Sequence, residues 1–141
     1  MSLSDHLRYL RALRGGVHTQ TIRDAIGLER VTPINHAETQ YRPVRDPELV
    51  AKLAAYYERP LTEFQWHNAR PRKYLTFYLA RALKTKEVVS LTLRSGEQLA
   101  GKVDWWDLGS LGLWDENGRF LVVQRHAVVD WPGADTEWED V

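Results

Sequence analysis

Apolar residues recur with a helical period through the front half of the chain and with a period of two through the back half. In "DHLRYLRALR" (5–14), Leu7, Leu10 and Leu13 share one face, and Gly15-Gly16 end the helix. In "TQTIRDAI" (19–26), Ile22, Ala25 and Ile26 form a second stripe, and Gly27 follows directly. Thr32-Pro33 and Asp46-Pro47 are start signals. A Thr or Asp side chain can cap free N–H groups, and Pro in the first turn gives up no hydrogen bond. The second start opens a helix with Leu49, Val50, Leu53, Ala54 and Tyr57 inward, and a further short helix begins near Thr62. The spacing predicts an all-α domain of five helices over 1–66, with a helix–glycine–turn–helix step around Gly27.

"QWHNARPRK" (65–73) breaks the pattern at Pro71, and 67–73 is read as a linker. "YLTFYLARAL" then places Leu75, Tyr78, Leu79, Ala82 and Leu83 at helical spacing. Five short strands follow: "VVSLTL" (88–93), "QLAGKVDWW" (98–106), "SLGLW" (110–114), "RFLVV" (119–123) and "AVVDW" (127–131). Ser95-Gly96 and Asn117-Gly118 turn the chain, and Gly101 inside a strand signals a sharp bend. The fold class is α+β, with a second domain over 74–132 built as one helix and a small, open, bent barrel. The end, 133–141, is an acidic tail expected to be disordered.

Composition narrows the function classes. The chain has 141 residues, no cysteine, and 19 basic against 19 acidic residues. The balance hides an asymmetry, since 1–73 carry 12 Lys and Arg against 8 Asp and Glu, and the remainder is acidic. A basic front half suggests a nucleic-acid partner. Disulfides, thiol chemistry and Cys-based zinc sites are excluded, and the histidines at 6, 18, 36, 67 and 126 show no metal-ligand spacing. No phosphate loop, nucleophile elbow or carboxylate pair stands out, so neither an enzyme nor a cofactor is expected. The N-terminus lacks an apolar signal region, and no run approaches the roughly 18 apolar residues of a membrane span. A cytoplasmic protein without membrane contact is the expectation.

Two family resemblances sharpen these readings. The front half resembles Xre/Cro-type helix-turn-helix domains over about 5–64, through "LRYLRALR", "IRDAIGL", "INHAE", Arg42-Pro43 and "LVAKLAAYYERPLTEF". The resemblance implies that Pro33 to about Gln40 is a recognition helix, with Ile34 and Ala37 inward. Arg30, Thr32, Asn35, His36 and Thr39 would then face base edges, while Arg42 and Arg45 contact phosphates. The back half is similar to the Sm-like family and to its Hfq branch. The similarity runs through the helix, Ser95-Gly96, "LAGKV", Asp107 and "QRHAVV". It implies that Gln124, Arg125 and His126 form a tight turn aimed into the pore of a ring, where Arg125 meets a phosphate or base carbonyl and His126 a base. Strand edges paired between neighbours would close that ring, with six copies expected. The combined expectation is a DNA-binding transcriptional regulator acting on double-stranded DNA, whose ring-forming domain also takes single-stranded RNA. The alternatives are an RNA-binding riboregulator with the front domain as adaptor, and an oligomeric scaffold that binds no nucleic acid.

Overall fold

The structure, a computed structural model, describes residues 1–136. The chain divides into two compact units, one over Ser2–Pro71 and one from Arg72 onward, to which Met1 also belongs.

The first unit is five short helices: α1 (Leu3–Leu13), α2 (Thr19–Ile26), α3 (Thr32–Thr39), α4 (Pro47–Tyr56) and α5 (Leu61–Asn68). Its core is Leu7, Leu10, Ile22, Ile34, Leu53 and Phe64 with their apolar neighbours. The Ser2 hydroxyl accepts from the Asp5 amide to start α1, and the Asp46 carboxylate accepts from the Glu48 and Leu49 amides to start α4. The α4 stripe is buried as its spacing predicts. Arg11 of α1 donates to both carboxylate oxygens of Glu38 on α3 at 2.8–3.0 Å, so the one buried acid of α3 is fully paired. Asn68 donates to the Val44 carbonyl and accepts from its amide, both at 2.8 Å, which fastens the α3–α4 connection to α5.

Three sequence expectations are corrected in this unit. Thr32 is the first residue of α3 rather than its cap: Val31 precedes it in helical conformation, and no side chain caps that end. Leu13 is 62% exposed, because it ends α1 beyond the last turn that the other helices cover. The expected linker is helical at both ends, since His67 and Asn68 finish α5 and Arg72 and Lys73 begin the next helix.

In the second unit α6 (Arg72–Thr85) is followed by β1 (Val88–Leu93), β2 (Gln98–Trp106), β3 (Ser110–Asp115), β4 (Phe120–Gln124) and β5 (Val128–Asp130). All pairings are antiparallel, in the spatial order β4-β3-β2-β1-β5. One face packs Val89, Leu91, Val103, Leu111, Leu113 and Val123 with Leu75, Leu79 and Ala82 of α6. Leu83, expected inward, is 38% exposed at the end of α6. The register shifts between Val103 and Trp105 and again between Thr92 and Leu93. Such irregularities bend strands and increase twist. Gly101 sharpens the first bend, because any Cβ there would overlap the backbone of Trp114. The start of the expected acidic tail is ordered: 133–136 form turns, and Ala134 is buried beside Trp131 in the core. The remainder of that tail lies outside the described residues.

Candidate nucleic-acid interface

β4 and β5 occupy opposite edges of the sheet, yet only three residues separate them. A flat five-stranded sheet would be about 19 Å across, since neighbouring strands lie ~4.8 Å apart. Three residues span that width only if the sheet curls until its edges approach, which the two register shifts allow. The polar stretch between "FLVV" and "VVD" therefore becomes a single 3-10 turn, Arg125–Ala127. The turn is fixed from two sides. Its Arg125 amide donates to the Gly109 carbonyl at 2.9 Å. On the other side, the Arg94 amide donates to the Ala127 carbonyl at 2.8 Å, and the Arg94 guanidinium donates to the His126 carbonyl at 3.2 Å.

The three polar residues separate by direction. Gln124 and His126 are exposed, whereas Arg125 is 2% exposed. Its guanidinium donates to the Asp107 carbonyl at 2.6 Å, the Arg72 carbonyl at 3.1 Å and the Thr76 hydroxyl at 2.7 Å. The expectation that Arg125 meets a phosphate or base carbonyl is thus corrected. A guanidinium has five donors in a rigid fork, and here the fork ties the turn to α6 and to the β2–β3 connection. Asp107 builds that connection. Its carboxylate accepts from the Gly109 amide at 2.8 Å and the Ser110 amide at 2.7 Å, which holds its pKa below the ordinary carboxylate value and turns its carbonyl toward Arg125. Sequence reasoning missed Arg94 and Thr76. Arg94 stands beside the Ser95-Gly96 turn and Thr76 one turn into α6, but neither position carries a recognisable spacing.

In the first unit, Arg30, Thr32, Asn35, His36, Thr39, Arg42 and Arg45 are all exposed, while Ile34, Ala37 and Glu38 take the buried side of α3. The Thr39 hydroxyl donates back to the Asn35 carbonyl at 3.0 Å. Asn35 and Thr39 line an open cleft of about 320 Å³ with Arg8, Arg11 and His18. The residues assigned to DNA and those assigned to RNA therefore belong to different units.

Residues 78–130 match the family model described as Hfq related. No curated protein matches the chain. The second unit is accordingly Hfq-like over the stretch that contains the bent sheet and the 3-10 turn.

Proposed function

We propose that this chain is an RNA-binding protein whose Hfq-like unit assembles into a ring and presents Gln124 and His126 to single-stranded RNA, with the helical unit as an adaptor. One observation carries the reading: two sheet edges that meet no further strand among the described residues, joined by a turn that exposes His126, within the stretch matching the Hfq-related family. Edge strands offer backbone groups to a partner strand, and β4 of one copy against β5 of the next, with the Met1 amine giving up the Val129 carbonyl, would pair both edges and close a cycle. Six copies is the expected number. An exposed imidazole can stack on a base or hydrogen-bond to its edge. Arg125 serves by holding the turn rather than by touching RNA.

The test is native mass together with the affinity for U-rich single strands, measured on the full chain and on His126→Ala. A cyclic oligomer that binds RNA and loses affinity on His126→Ala is expected. A monomer, or equal affinity in the two proteins, refutes the reading.

A second reading rests on the exposed polar side of α3, with Arg30, Arg42 and Arg45 around it. There the first unit is a helix-turn-helix of the Xre/Cro type, Asn35 and His36 read base edges, and the chain is a DNA-binding regulator. A full chain that ignores duplex DNA at low salt would dismiss it. Indifference to both kinds of nucleic acid would leave the scaffold.

A further inference from the structure

The outer face of the sheet, opposite the core, carries an aromatic surface that the RNA turn does not use. Register places Val88, Lys102, Trp114 and Phe120 in one row across β1 to β4, and all four are exposed. The next row holds Trp105, Gly112 and Val122. Gly112 explains the arrangement. A Cβ there would overlap the indole of Trp105 and the ring of Phe120, so the missing side chain lets both rings lie over the strand. Trp114 and Phe120 are cross-strand partners with ring centroids 4.9 Å apart, and they remain 47% and 41% exposed. Large aromatics displayed this way cost hydration free energy unless something covers them.

We infer that this face is a stacking platform for single-stranded RNA, a second contact region for the strand whose first contact is His126. The inference rests on the proposed RNA-binding reading. Three features favour RNA over an apolar protein segment. Exposed aromatic rings stack on any base, whatever the sequence. Lys102, cross-strand neighbour of Trp114, supplies a cation for the phosphate backbone. The platform is also continuous with the turn, because Val122 and Gln124 follow Phe120 along the same face of β4 and lead to His126. That path is roughly 15 Å of strand, so a short oligonucleotide fills the turn alone and a longer one reaches the rings.

The test uses the full chain and two oligouridylates, of about 2 and about 18 nucleotides, followed by fluorescence anisotropy. The double variant Trp114→Leu/Phe120→Leu keeps apolar cover but removes both π faces. It should bind the long strand at least about tenfold more weakly, bind the short strand as the parent does, and keep the native mass. Unchanged affinity for the long strand overturns the inference. So does a changed native mass, which would make the platform a contact between subunits. Should the double variant not fold, indole fluorescence decides: the long strand should quench the parent more than Trp114→Phe, and equal quenching overturns the platform. His126→Ala separates the two readings, because a platform without the turn would still lose the long strand on the leucine changes while His126→Ala changed nothing.

Discussion

At the residue scale, Arg125 shows how one side chain can look like a ligand contact and act as a brace. Its partners are two main-chain carbonyls and a threonine hydroxyl in two segments, α6 and the β2–β3 connection. Hydrogen bonds from a charged donor contribute about 1.5–3 kcal/mol each, and truncation would remove all three. Arg125→Ala should therefore destabilise the second unit by about 3 kcal/mol or more, and Arg125→Lys should not restore it, because an ammonium cannot reproduce the fork. Denaturant unfolding checks both. An RNA contact would give the opposite pattern, with affinity lost and stability kept. The pair Arg125-His126 was legible in the sequence as two polar residues between strands, but their directions were not. Direction depends on what the strand edges enclose, and Thr76 and Asp107 reach Arg125 only once the sheet has curled.

His6 supports a second residue-scale prediction, in the helical unit. Its ring stacks on His67 at 3.8 Å between centroids and lies 3.2 Å from the Glu63 carboxylate. Burial holds its pKa below the ordinary value of 6.5; the hydrogen bond that the Glu63 carboxylate accepts opposes that shift without cancelling it, and the charge of Arg59 adds to it. The folded state therefore favours the neutral ring. The unfolded chain takes up a proton at the ordinary value, and the folded chain only at lower pH. Stability from this group is complete above pH 6.5 and is lost as the pH falls through that value toward the depressed one. Thermal unfolding followed from about pH 7.5 to about pH 5.5 should show the loss, and His6→Gln should flatten the profile. A parent and variant with parallel profiles would contradict it.

At the scale of elements, most of the strands and helices were readable from periodicity, because each buries one face. Val89 and Leu91 alternate inward as expected, and Asp46-Pro47 opens α4 as expected. What was not readable is where strands bend. The register shift between Val103 and Trp105 is a property of β2 with β3 together, and neither strand records it alone. The start of α3 was misread for a related reason, since helical conformation extends back to Val31 and leaves Thr32 inside the first turn rather than ahead of it. The edge strands carry this scale's prediction. Val122 is 61% exposed on β4, one of the two free edges. Val122→Glu places a charge where a neighbouring strand would have to seat, and charged edge residues block strand addition. Light scattering should show the oligomer dissociating while circular dichroism keeps the parent's spectrum. An oligomer that survives the change would remove β4 from the assembly.

At the scale of the whole molecule, the zero net charge conceals two units of opposite character, and salt can tell their partners apart. Residues 2–71 hold 10 basic against 8 acidic side chains, and the remainder of the chain 9 against 11. Affinity for nucleic acid falls with salt in proportion to the phosphates neutralised, with a log–log slope of about −0.9 per contact for duplex DNA and about −0.7 for single strands. Duplex DNA held through Arg30, Arg42 and Arg45 would have a slope of about −3 for each docked unit. A single strand held by His126, the aromatic platform and Lys102 would have a slope near −1 per subunit, because stacking releases no counterions. Titrating the intact protein with both nucleic acids from low to physiological salt should therefore give one shallow line, for single-stranded RNA, and a steep one for duplex DNA if DNA binds at all. A steep line for RNA would bring further cations into the contact beyond Lys102, the exposed Lys84, Lys86 and Arg119 of the second unit or the arginines of the helical one.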